Sequence, residues 1–92
     1  MSEAFVSEYD DAGTHCCGTY ATYGVAVCGE PSGICVPMGT RIEFCLGARC
    51  VTATADDHGP YVAGRQFDLA TSTASALGFS GIGSVHYRIL TG

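Results

Sequence analysis

Asp57 and Asp68 stand eleven residues apart around the one segment of this 92-residue chain whose residue types suggest bond-breaking chemistry. Between them run His58-Gly59-Pro60-Tyr61-Val62-Ala63-Gly64-Arg65-Gln66-Phe67, and Asp56 directly precedes them. The order reads as a strand entering two acids, a Gly-Pro turn, a Gly-Arg turn, and a third acid opening a helix. A turn-rich loop of this length brings two carboxylates near one another. Paired carboxylates in different environments are what glycosidic cleavage needs, one giving a proton to the leaving oxygen and the other ionised as base or stabiliser. Plainer roles stand beside this. Asp68 would cap the following helix, Asp56 or Asp57 would form a turn by bonding its own backbone, His58 would be a solvent-facing turn residue, and Arg65 would pair with a nearby acid.

The elements that must position these residues are mostly strands. Residues 41–46 alternate, with Ile42, Phe44 and Leu46 on one face, and residues 49–55 put Val51, Ala53 and Ala55 together. Gly47 between them marks a hairpin. Residues 84–90 alternate again through Val85, Tyr87 and Ile89, and shorter strands are expected at 4–9 and 21–27. One stretch breaks the period: Ala70-Thr71-Ser72-Thr73-Ala74-Ser75-Ala76-Leu77-Gly78. Thr71 or Ser72 would cap a helix of about two turns there, and Gly78 would stop it. A mostly β chain of this size, with one short helix, is expected to close into a barrel, because closure removes unpaired edges. The length suits a single domain over residues 1–92.

Six cysteines, at 16, 17, 28, 35, 45 and 50, brace the first half of the chain. Cys28 and Cys35 enclose Gly29, Pro31, Ser32 and Gly33 and read as a pinched loop; Cys45 and Cys50 flank Leu46-Gly47-Ala48-Arg49 and read as a clipped hairpin. Disulfides fit better than zinc, for which close cysteine pairs are usual. The adjacent Cys16-Cys17 suits neither reading well. Disulfides point to an oxidising compartment or a virion surface. The first residues carry no basic leader and no apolar run, so no signal peptide is expected in this chain. No stretch approaches the roughly 18 apolar residues of a membrane span. Nine acids against four arginines and no lysine give a net charge of −5. That balance argues against nucleic acid, which is bound by neutralising phosphates, and against attraction to anionic wall polymers. Nothing in the sequence calls for a metal or a cofactor.

The segment Asp56-Asp57-His58-Gly59-Pro60-Tyr61-Val62-Ala63-Gly64-Arg65-Gln66-Phe67-Asp68-Leu69 resembles the hallmark of the rare lipoprotein A family, Asp-Arg-Gly-Pro-Phe/Tyr-x-x-Gly-Arg-x-x-Asp-Leu. Val36-Pro37-Met38-Gly39-Thr40-Arg41-Ile42 is similar to its Leu-Pro-x-Gly-Thr-x-Val step, and Ser7-Glu8-Tyr9-Asp10 to its opening Ala-Ser-x-Tyr strand. Ala76-Leu77-Gly78 and the closing strand Ser84–Leu90 also fit. The resemblance implies a six-stranded double-psi β-barrel, shared with membrane-bound lytic transglycosylase A and the expansins. It further implies a peptidoglycan or related polysaccharide as partner and lytic transglycosylase chemistry at Asp57 and Asp68. Tyr9, His58, Gly59, Pro60, Tyr61 and Arg65 would line the glycan cleft.

Departures from the family pattern keep three roles open. The histidine that active members carry in an Ala-Ala-His or Val-Ala-His step is replaced in Val25-Ala26-Val27, and His58 stands where arginine is usual. The segment from Cys28 to Val36 is longer than the family's. The chain would therefore be a lytic transglycosylase, an expansin-like barrel that binds glycan without turnover, or a structural part of a phage tail tip or cell envelope touching the wall. A glycan binder would use an aromatic platform, for which Tyr9, Tyr20, Tyr23, Tyr61 and Tyr87 are candidates. All three roles imply an extracytoplasmic or virion location.

Overall fold

Strands form at all five expected stretches and at one more, Phe67–Ala70, where the sequence reads as opening a helix; with one helix they make up the computed structural model, which describes residues 1–10, 16 and 21–90. In chain order they are β1 (Ser2–Tyr9), β2 (Gly24–Cys28), β3 (Arg41–Leu46), β4 (Arg49–Gly59), β5 (Phe67–Ala70), α1 (Thr71–Leu77) and β6 (Ile82–Ile89). The strands close into a barrel in the order β1-β5-β2-β4-β3-β6. Two neighbouring pairs are parallel, β1 with β5 and β2 with β4, and the other four are antiparallel.

One face of every strand supplies the interior. Val6, Val25, Val27, Ile42, Phe44, Ala53, Ala55, Phe67, Leu69 and Val85 form one buried cluster. Phe67 stands edge-on to Phe44, ring centres 5.2 Å apart, and to Tyr87 at 5.1 Å. Edge-to-face rings add to the area they remove from water. Helix α1 lays Ala74 and Leu77 onto the same cluster. Its buried Thr73 donates its hydroxyl to the Gly24 carbonyl oxygen at 2.7 Å and so ties the helix to the start of β2.

The helix begins differently from the sequence expectation. Its N-cap is Ala70, with no side-chain cap. The hydroxyls of Thr71 and Ser72 go to the carbonyls of Tyr9 and Thr22, so tertiary partners outcompete the local cap. The expected stop holds: Gly78 is left-handed, Phe79 N–H reaches the Ala74 carbonyl and Gly78 N–H that of Ser75, the paired bonds of a Schellman end. The chain continues as a strand through Asp56, Asp57 and His58 to Gly59, where a turn was expected. The peptide bond to the buried Pro60 is cis.

Two disulfides fasten the described part of the barrel. Cys45–Cys50 joins directly opposed residues of the β3–β4 hairpin, and Cys28–Cys35 closes the loop after β2. Both pairings match the sequence reading. Cys16 is also disulfide-bonded, and its sulfur lies 3.7 Å from that of Met38. Cys17 and Tyr20 lie outside the described residues. No helix among the described residues is long and apolar enough to cross a membrane.

Candidate functional site

A single irregularity in β4 decides which acids can act together. Val25 of β2 pairs with Ala55, but the next residue, Ala26, pairs with Asp57, so Asp56 is the extra residue of a bulge. Side chains alternate along a strand, and one inserted residue resets which face the rest occupy. Asp56 is consequently fully buried, its carboxylate beside Gly24, where an added Cβ would fall 2.4 Å from Oδ2. Asp57 instead turns outward, half-buried, and its Oδ1 accepts the His58 N–H at 2.8 Å.

The outward positions form a row across the barrel wall. Ile82 of β6 is beside Ser7 of β1, Ser7 beside Asp68 of β5, Asp68 beside Ala26 of β2, and Ala26 beside Asp57 of β4. The two aspartates therefore share one face with only Ala26 between them. Two strand spacings put their Cα atoms roughly 9.5 Å apart. Ser7 is buried, and its hydroxyl donates to Asp68 Oδ1. Asp68 Oδ2 faces Gly59: a Cβ there would lie 3.1 Å from that oxygen and 3.3 Å from the Ala26 methyl. Gly59 has φ of 152°, so both backbone angle and space call for glycine. Asp68 is thus fixed through Oδ1, while Oδ2 lies beside Gly59. It does not cap α1, the plainer role that the sequence also allowed.

The remaining sequence candidates divide by position. Tyr9 follows Ser7 by two residues on β1, on the same side of that strand, and is half-buried. His58 alternates away from the row, pairs with Val27 and is exposed at the end of β4. Pro60 is buried, Tyr61 is 69 % exposed and Val62 49 %, so the loop after β4 presents an aromatic ring to solvent. Arg65 is half-buried, and its side chain makes no ion pair among the described residues. Tyr87 is taken out of any binding platform because its ring packs on Phe67. Tyr23 is moderately exposed just before β2.

Ser7, Ala26 and Ser32 are the residues that residue-by-residue reading missed. Ser7 was visible only as part of an opening strand, with nothing local to tie it to a partner 61 residues away. No enclosed pocket forms among the described residues; in the row the two aspartates are half-buried, and Ser7 and Ala26 are buried. Donor atoms of Glu43, Cys45 and Cys50 lie within 4.8 Å of one another, but the two sulfurs are bonded to each other and are not available as thiolates. No protein-family model matches the chain, and no curated protein matches it.

Proposed function

We propose that this chain is a double-psi barrel of the rare lipoprotein A kind that lies against peptidoglycan and cleaves its glycan strands as a lytic transglycosylase. The observation that carries this reading is the outward row Asp57–Ala26–Asp68–Ser7. The two parallel strand pairs inside a six-stranded closed barrel support the double-psi part of it.

The chemistry follows from the row. Asp68 Oδ1 is engaged by Ser7, which leaves Oδ2 to carry the proton given to the glycosidic oxygen between muramic acid and glucosamine. As that C–O bond breaks, the muramoyl 6-hydroxyl oxygen bonds to the anomeric carbon and its proton passes to Asp57. The products are a free glucosamine 4-hydroxyl and a 1,6-anhydromuramyl end, with no water consumed. The strand separation leaves room for a hydroxyl between the carboxylates. Gly59 keeps the approach to Oδ2 clear, and Tyr61 offers a ring for a sugar face.

Ala26 favours a second reading. A methyl group occupies the position between the two aspartates, and no proton-carrying side chain stands there. On that reading the barrel binds glycan without turnover, as an expansin-like module or a wall-touching part of a virion or envelope assembly. The disulfides support an extracytoplasmic or virion setting in either case.

Digestion of purified peptidoglycan, with products read by mass spectrometry, tests the proposal. Anhydromuramyl products that vanish in Asp68→Asn or Asp57→Asn establish the transglycosylase and the residues that act. Absence of products with sedimentation onto peptidoglycan retained leaves the binding barrel, and loss of both removes the glycan reading.

A further inference from the structure

The loop that departs most from the family pattern is the one fastened to the motif loop. Residues 28–35 form a ring closed by the Cys28–Cys35 disulfide. Inside that ring Gly33 N–H bonds the Gly29 carbonyl at 2.7 Å and Cys28 N–H that of Ile34 at 2.9 Å, so the ring is braced by its own backbone. Three of its residues then reach the segment from Gly59 to Gln66.

Gly29 N–H donates to the Gly59 carbonyl at 2.9 Å. The backbones meet so closely that a Cβ on Gly29 would fall 2.0 Å from the Pro60 carbonyl oxygen. Ile34 N–H donates to the Gln66 carbonyl at 3.0 Å at the other end. Between them Ser32 fills the centre of a turn that Arg65 N–H closes onto the Val62 carbonyl at 3.2 Å. The Ser32 hydroxyl accepts the Gly64 N–H at 2.8 Å and donates to the Arg65 carbonyl at 3.1 Å, with the Val62 carbonyl 3.4 Å away. The residues held this way, Tyr61 to Gly64, are all exposed. A surface loop with so little burial of its own takes its shape from such tethers.

We infer that the disulfide-closed loop is a clasp whose Ser32 is a positioning residue, holding the Tyr61–Arg65 turn in the shape that meets the ligand. The role rests on the glycan-binding reading above. Its physical basis is preorganisation: a loop ordered before binding does not have to be ordered at the expense of affinity. Ser32 touches neither aspartate of the row.

Ser32→Ala and Ser32→Thr test it, with two readouts: amide hydrogen exchange, and sedimentation with insoluble peptidoglycan sacculi. Ser32→Ala is expected to speed exchange at Gly64 by about tenfold, since that amide loses the Ser32 hydroxyl as its acceptor. Exchange at Phe44 in β3 speeds less than exchange at Gly64, and the thermal midpoint drops by only a few degrees. Affinity for sacculi falls about fivefold, the effect of one lost hydrogen bond of about 1 kcal/mol, and Ser32→Thr, which keeps the hydroxyl, restores both readouts. Unchanged Gly64 exchange in Ser32→Ala overturns the clasp. Faster exchange with undiminished affinity overturns the positioning role. If the unsubstituted chain does not sediment with sacculi, the glycan reading and the positioning role fall together, while Gly64 exchange alone still decides whether the clasp exists.

Discussion

Ser7 gives its hydroxyl hydrogen to Asp68 Oδ1 from the position directly beside it on a parallel strand, although 61 residues separate the two in sequence. The pair sits in the β1–β5 ladder, and barrel closure holds the other edges of these two strands against β6 and β2. Asp68 is thus oriented by backbone register as well as by a hydrogen bond. Register is hard to disturb without opening the barrel.

Replacing Ser7 by alanine removes the bond and leaves the register. We expect Ser7→Ala to lower stability by about 1 kcal/mol and the yield of anhydromuramyl ends about tenfold, because the carboxyl loses its fixed orientation. Urea unfolding and product analysis measure the two effects. Ser7→Thr, which keeps the hydroxyl, should recover most of the yield. A yield in Ser7→Ala equal to that of the unsubstituted chain would remove Ser7 from the site.

Gly59→Ala places a methyl 3.1 Å from Asp68 Oδ2 in a backbone conformation that alanine resists. The strained angle should cost about 1–3 kcal/mol, read as a lower urea midpoint. Product formation should fall further than the population of folded protein does, since the methyl covers the oxygen that the proposed mechanism assigns to the glycan. Activity that tracks folding alone would show that the approach to Oδ2 does not pass Gly59.

Thr73→Val keeps the shape of a fully buried side chain while stranding the Gly24 carbonyl that accepts its hydroxyl at 2.7 Å. A loss of about 1–3 kcal/mol is expected, seen as a drop in thermal midpoint. Glycan sedimentation at a temperature where the variant remains folded should not change, because α1 lies on the core and not on the row.

The Cys45–Cys50 disulfide offers a contrasting case. Cys50 lies seven residues before Asp57 on β4, about 23 Å along an extended strand. The double variant Cys45→Ser/Cys50→Ser should lose roughly 2 kcal/mol, the value for closing so short a loop, with sedimentation onto sacculi intact. Loss of binding in the folded variant would mean that the hairpin end takes part in the site.

The hairpin from Arg41 to the middle of β4 was legible because its information is local: alternating side chains, a glycine between them and a cysteine on each side. The helix stop at Gly78 was legible for the same reason. The helix start was not, since Thr71 and Ser72 take carbonyls from Tyr9 and Thr22, which no local rule announces. The division between Asp56 and Asp57 escaped too. Two adjacent acids before Gly-Pro look alike in sequence, and only pairing of β4 with β2 buries one and exposes the other. Asp57 and Asp68 were both singled out in the sequence, and the structure brings them to one face. The serines that support the site were not found, because each acts on a segment remote in sequence.

Barrel closure also sets the order in which the molecule can be made. The barrel strand that comes first in chain order, β1, has both its neighbours in β5 and β6, about 60 residues or more downstream. A nascent chain that has emerged only through β4 holds a β3–β4 hairpin and a β2–β4 pair, but no closed wall and no row of outward aspartates. Contacts this remote make folding slow, on the millisecond-to-second scale of other non-local β topologies. The row therefore assembles in stages: Asp57, Ala26 and Asp68 align once β5 pairs with β2, and Ser7 joins them when β1 takes its place between β5 and β6.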